Sequence, residues 1–179
     1  SMQCRFEIMD ALDLQFKKGS FDAVWSVEAG PHMPDKQLYA DEMLRVLRPG
    51  GVLAVADWNI RDLANEGMNK LEKMVMYQLL NQWAHPNFAS IVSFKKNLCD
   101  SRFCVGAIGT GDWTDCTVPS WIDSIKEGIR RPNAILGLGP EAFLKAIREV
   151  PTILLMHWAF SNNLMQFGVF RSRGCGYLD

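Results

Sequence analysis

Two apolar runs with a helical pattern between them constrain this chain more than any other feature. Residues 21–58 read FDAVWSVEAGPHMPDKQLYADEMLRVLRPGGVLAVADW. Phe21, Ala23, Val24, Trp25 and Val27 form the first run, and Val52 to Ala56 the second. Neither alternates with polar residues, as expected of strands covered on both faces, the condition of a parallel sheet. Between them, Tyr39, Met43, Val46 and Leu47 mark an apolar helix stripe. Asp35 is placed to cap that helix, Arg45 and Arg48 sit near its negative end, and Pro49-Gly50-Gly51 is expected to stop it. Strand, helix and parallel strand join by a right-handed crossover.

Composition narrows what surrounds this unit. The 179 residues suit one domain with a sizeable core. Nineteen Lys and Arg against 20 Asp and Glu give a net charge of -1, so no basic stripe points to nucleic acid. A hydrophobic content of 48% excludes a disordered chain. The five cysteines (Cys4, Cys99, Cys104, Cys116, Cys175) include no CxxC pair and read as buried, reduced thiols. No signal peptide is visible. The longest apolar run, Val150 to Phe160, is broken by Pro151, Thr152 and His157 and is too short to span a bilayer. No cluster has metal-ligand spacing, so no metal is expected.

The remaining pattern alternates strands and helices, which predicts a layered α/β domain. Phe6 to Met9 reads as a short strand ending at Asp10-Ala11. Ile60 to Asn69 reads as loop. Met68, Leu71, Val75 and Leu79 mark a helix to about Trp83, closed by His85-Pro86-Asn87. Ser90 caps a shorter helix. Phe103 to Ile108 reads as a strand, Pro119 and Pro140 as helix openings, Val150 to Leu164 as helix, and Met165 to Arg171 as the last strand. Gly106, Gly109 and Gly111 have the wrong spacing for a nucleotide loop and read as a glycine-rich turn.

Several segments resemble class I methyltransferases in order. KKGSFDAVW (17–25) is similar to their second motif and LRVLRPGGVL (44–53) to their third. RFEIMDAL (5–12) is similar to the end of their third strand. SVEAGPHMPDK (26–36), ADWN, WAHPNFASI, DWTDCTVPSW and REVPTILLM resemble the tocopherol methyltransferase group, in particular its cyanobacterial branch acting on prenylated benzoquinols. Pro31 departs from the Glu common in the tocopherol enzymes, which favours that branch.

The resemblance implies a Rossmann-like three-layer sandwich that uses S-adenosyl-L-methionine and lacks the first two strands of the family sheet, whose order is 3-2-1-4-5-7-6. It implies one partial domain over 1–179. Residues 1–59 are the remainder of the donor-binding core, 60–164 carry helical acceptor-site insertions and later core elements, 165–171 form the last strand, and 172–179 a tail. Asp10, with Ala11 and Leu12, is implied to meet the adenine, and Val27 and Glu28 to face the cofactor. The glycine-rich loop and ribose-binding carboxylate of the family have no counterpart before Phe6. The expectation is therefore a chain that represents the later portion of a methyltransferase domain.

The chemistry selects further residues. Methyl transfer needs alignment and exclusion of water, and a quinol gains nucleophilicity when a base removes its phenolic proton. His32, just past a strand's carboxyl end, is the candidate base; a histidine bonding local backbone is the alternative. Asp57 and Trp58 end the next strand and are candidates for the substrate mouth. His85 and His157 read as structural.

The later half is rich in Met and Trp, which suits either a core or a prenyl pocket. Trp121 and Trp158, with Arg130 and Arg131, fit peripheral contact with a membrane, or plain packing. The expected ligand is a lipid-like small molecule, with no nucleic acid. A strand-exchanged homo-oligomer is one way to supply the absent sheet neighbours. The expected setting is the cytoplasm or the surface of an internal photosynthetic membrane. Two classes of function stay open: methylation of a prenylated benzoquinol, a tocopherol-like acceptor or another small molecule, and a non-catalytic binding module that keeps the fold.

Overall fold

The crossover unit forms as its sequence demands. In the computed structural model, which describes residues 4–64, 66–103, 106–131, 137 and 139–173, β1 (Phe21–Val27) runs parallel to β2 (Leu47–Ile60). Between them a short 3-10 turn (Gly30–His32) leads into α1 (Lys36–Val46). The Asp35 carboxylate caps α1 by accepting from the Leu38 N–H at 2.9 Å. The helix ends at Val46, earlier than expected. Pro49-Gly50-Gly51 instead lies in the irregular start of β2, where the register to β1 shifts and Gly50 takes φ 76°.

Downstream come α2 (Lys70–Gln82), α3 (Ile91–Asp100), β3 (Gly109–Asp112), α4 (Thr114–Arg130), α5 (Pro140–Ser161) and β4 (Met165–Arg173). The four strands lie in the order β1-β2-β4-β3, and β4 runs antiparallel to both neighbours. Asn69 and Ser90 cap α2 and α3, each in a reciprocal capping box. Pro119 and Pro151 lie inside α4 and α5 rather than opening or interrupting them.

Alternation along β2 and β4 divides the core between the two sheet faces. Leu53, Val55 and Phe170 pack with Tyr39, Met43, Phe94 and Leu98 of α1 and α3. Ile60, Met165 and Phe167 pack with Val75, Met76 and Leu79 of α2 and Met156, Ala159 and Phe160 of α5. Helices on both faces of a mixed sheet make the expected three-layer α/β architecture.

Three expectations are corrected. Phe6 to Met9 forms no strand: Phe6 is 97% exposed, and its segment has no sheet neighbour among the described residues. The segment that follows is held by α1 side chains instead. The Leu14 N–H donates to Glu42 at 2.8 Å, and Arg45 donates to the carbonyls of Leu14 and Phe16. The Arg45 guanidinium bonded to Glu42 in turn holds that carboxyl below its ordinary pKa.

The strand expected over 103–108 is displaced to β3. Gly109 and Gly111 there pair with Arg171 and Val169 rather than forming a turn. This is an edge strand, where glycine is tolerated, and Gly109 leaves room for the Arg171 side chain. Cys104 and Val105 lie outside the described residues. Finally, Cys4, Cys99 and Cys116 are free as expected but exposed rather than buried; Cys175 also lies outside the described residues.

Candidate active site

The carboxyl ends of β1 and β2 converge on one concave region, where ligands of parallel α/β sheets bind. Val27 ends β1, and Glu28 turns the chain with φ 55°, a conformation costly for a residue with a Cβ. The Glu28 N–H donates to the Ala56 carbonyl at 2.8 Å, which keeps the turn against β2. Pro31 is buried and His32 exposed on the 3-10 turn that follows.

Asp57 does not line the mouth of this region. It is 3% exposed, beneath the turn, where its Oδ1 accepts from the Gly30 N–H at 3.2 Å. Burial raises its carboxyl pKa to about 7, against the opposing pull of the Gly30 N–H and Lys36. Lys36 is itself lowered to about 8, chiefly by burial, with Asp57 opposing the shift. Tyr39, whose hydroxyl bonds Ser26, is raised to about 12 by burial.

The residue after Asp57 does reach the cavity. Trp58 donates its indole N–H to Glu28 Oε1 at 3.1 Å, tying the two strand ends together. A cavity of about 330 Å³ is lined by Glu28, Pro31, His32, Trp58, Trp83 and His85. Behind Trp58 and Glu28 lies a small slot lined by Thr117, Val118, Trp121, Phe160 and Phe167. A broader open depression along α4, bordered by Ser120, Asp123, Lys126 and Glu127, includes Arg130 and Arg131 but none of the candidate catalytic, cofactor or substrate residues.

His85 and Trp83 enter the cavity from the end of α2, and neither was legible as a site residue. Ala84 takes the left-handed conformation at φ 52°, and the His85 N–H returns to the Leu80 carbonyl at 2.9 Å, closing the helix in a Schellman-type turn. Three further bonds hold the loop after it. Asn59 and Ile60 of β2 both donate to the Ala89 carbonyl, and Lys36 donates to the Asn87 carbonyl at 3.1 Å. These ties bring the His85 ring to 4.3 Å from that of His32. The Trp83 indole N–H is held by Glu149 of α5 at 2.9 Å.

His85 is buried, and its Nδ1 has no hydrogen-bond partner among the described residues. Burial first, then the nearby His32 and Lys36, lower its pKa to about 4, so it stays neutral at physiological pH.

The other candidates are placed as follows. Asp10 lies in an exposed turn, with Oδ1 accepting from the Leu12 N–H at 2.9 Å. Ala11 and Leu12 pack partly buried against the α1-side core. Val27 is half exposed at the end of β1. His157 lies exposed on α5, its ring nitrogen 3.5 Å from the Ser161 hydroxyl. Among the described residues no His, Cys, Asp and Glu group has metal-site geometry, and no helix is long and apolar enough to cross a membrane.

Comparison with known proteins gives this geometry a context. A family model described as a methyltransferase domain matches residues 1–55. The 2-methyl-6-phytyl-1,4-hydroquinone methyltransferase of Synechocystis sp. is 54% identical over 168 residues, covering 94% of this chain and 53% of that protein. Tocopherol O-methyltransferase of Arabidopsis thaliana, described as chloroplastic, is 30% identical over 166 residues, covering 92% of this chain and 47% of that protein. The chain thus spans about half the length of the curated relatives it matches. Haemonchus contortus phosphoethanolamine N-methyltransferase 2, solved in complex with S-adenosyl-L-methionine, superposes with a TM-score of 0.74 at 14% identity, over 93% of this chain and 36% of that one. At that identity the likeness shows the fold alone.

Proposed function

We propose that this chain, similar to the methyltransferase group that includes the tocopherol and 2-methyl-6-phytylhydroquinone enzymes, forms the acceptor side of a methyltransferase acting on a prenylated benzoquinol ring. The observation that carries the proposal is the aromatic cavity holding His32 and His85 at the carboxyl ends of β1 and β2. A hydroquinone ring would pack against one side of the Trp58–Trp83 pair, whose rings contact each other with centroids 5.6 Å apart. Its tail is directed past Trp58 toward the slot lined by Val118, Trp121, Phe160 and Phe167. The greater identity to the phytylhydroquinone enzyme favours ring methylation over the tocopherol reaction.

S-adenosyl-L-methionine is the proposed donor and supplies an electrophilic methyl group when bound. The residues present fit part of it. Asp10 offers an exposed carboxylate with one oxygen free of the Leu12 bond, next to the partly apolar Ala11 and Leu12. Val27 and Glu28 are exposed at the end of β1, beside the cavity.

His32 is the proposed general base. Its exposed ring lines the cavity, within reach of a phenolic proton of a bound quinol. Glu28 orients Trp58, and the two indoles exclude water from one side of the ring. The division into 1–59 as donor-side core, 60–164 as acceptor elements, 165–171 as last strand and 172–179 as tail belongs to the same proposal. So does a setting at the surface of an internal membrane, from which a lipid quinol would be collected.

The test is a methyl-transfer assay on the protein that carries this chain, with 2-methyl-6-phytyl-1,4-hydroquinone and a tocopherol as alternative acceptors. The expected product is a ring C-methylated quinol. Replacing His32 by Gln is expected to lower kcat by about 10²–10⁴ while leaving donor affinity, measured by calorimetry, unchanged. Donor binding without transfer to either acceptor would indicate another acceptor. Absence of both would favour a non-catalytic binding module.

A further inference from the structure

His85 is a buried, neutral imidazole that the proposed proton transfer does not use. Its surroundings are aromatic: Phe88 at 5.1 Å, Trp83 at 6.2 Å and Trp58 at 6.4 Å between ring centroids, with His32 against it. A buried polar atom without a partner is costly, and native structures retain few of them. Here the unpaired Nδ1 belongs to a ring that lines the candidate cavity. The ties from Asn59, Ile60 and Lys36 to its loop, and the Schellman turn ahead of it, fix its position.

We propose that His85 is a specificity-determining residue that recognises the acceptor by accepting a hydrogen bond from a ring hydroxyl at Nδ1. This rests on the acceptor site proposed above and deepens it. The two histidines then divide their tasks. His32, exposed, takes a proton. His85, flanked by the cationic Lys36 and by His32, remains neutral and offers a fixed lone pair. Such a site selects a hydroquinone over the same molecule without a donating hydroxyl, because the ether or quinone form leaves Nδ1 unpaired. Sites built to bond a hydroxyl reject analogues lacking it far more strongly than apolar pockets discriminate by size.

The test compares binding of the free hydroquinone and its dimethyl ether to the protein that carries this chain, as wild type and as H85F and H85N. Asn places a polar atom near the position of Nδ1, whereas Phe keeps the aromatic bulk alone. The wild type is expected to prefer the hydroquinone by at least about tenfold. H85F is expected to bind both with similar affinity, and H85N to regain most of the preference.

A wild-type preference kept intact in H85F would overturn the assignment. So would a preference lost equally in H85F and H85N while both retain wild-type affinity for the ether, since position-specific pairing would then not be its source. Failure of the wild type to bind either acceptor would sink the acceptor site itself. That result is distinguishable, because it precedes any effect of substitution.

Discussion

Asp57 shows how a residue's neighbours override its place in the sequence. As the end of an apolar strand it reads as a mouth residue, yet it is buried beneath the Gly30 turn with its carboxyl pKa raised from 3.8 to about 7. A raised acid makes the native state bind more protons than the unfolded chain. Its contribution to stability is complete below about pH 4, is lost as pH rises through 7, and changes little above that. D57N keeps an acceptor for the Gly30 N–H but cannot ionise. The melting temperature of the variant relative to wild type is therefore expected to rise from pH 4 to 7 and then level off. The stability difference at the plateau should be on the order of 3–4 kcal/mol, the equivalent of the net shift, in which the opposing pull of Lys36 is already included. A constant difference across that pH range would contradict the assignment. His32 was legible because it follows a strand end. His85 was not, because its approach to His32 depends on the left-handed Ala84 and on a lysine in another element, and no local pattern encodes either.

At the level of elements, the legible features were those with local causes. The caps at Asp35 and Ser90, the apolar stripes of α1 and α2, and the strand from Met165 all follow from neighbours a few residues away. Prolines misled, since Pro119 and Pro151 are accommodated inside helices that tertiary packing sustains. The turns that build the site give two predictions. A Cβ added to Gly30 would fall 2.2 Å from Asp57 Oδ2, a side chain that is buried and already bonded to this turn. G30A is expected to cost about 1–3 kcal/mol through overpacking, seen as a lower denaturant midpoint with an unchanged slope. It should also weaken acceptor binding by moving His32. Ala84 presents the opposite case, an L side chain in a left-handed conformation at φ 52°. A84G should relieve about 1 kcal/mol of that strain and raise the midpoint, leaving hydroquinone preference unchanged because the Schellman bonds persist. If A84G destabilises the fold, the turn is held by something other than backbone conformation.

At the scale of the whole molecule, the expected strand order survives as its later part, β1-β2-β4-β3. Structure departs from local sequence pattern where a strand would need neighbours that the described residues do not supply. Phe6 to Met9 has strand composition and, among the described residues, no strand beside it to pair with. The same circumstance leaves β1 at the sheet edge, with Trp25 80%, Val27 48% and Phe21 37% exposed beside Val52 at 42%. These residues project from one face of the β1–β2 pair, as their register and alternation require. Continuous runs such as these normally belong to strands covered on both sides, so the exposed face is the part of the pattern left unsatisfied. An apolar face next to an unpaired edge favours association. This chain, isolated, is therefore expected to self-associate with rising concentration in light scattering and to bind a hydrophobic dye. W25K should leave the fold intact, because the side chain is mostly solvated, and should weaken association by about tenfold or more, the effect of removing one large apolar contact. A monodisperse wild-type monomer without dye binding would mean that this face is covered in solution by the chain's own residues, and W25K would then destabilise the protein instead.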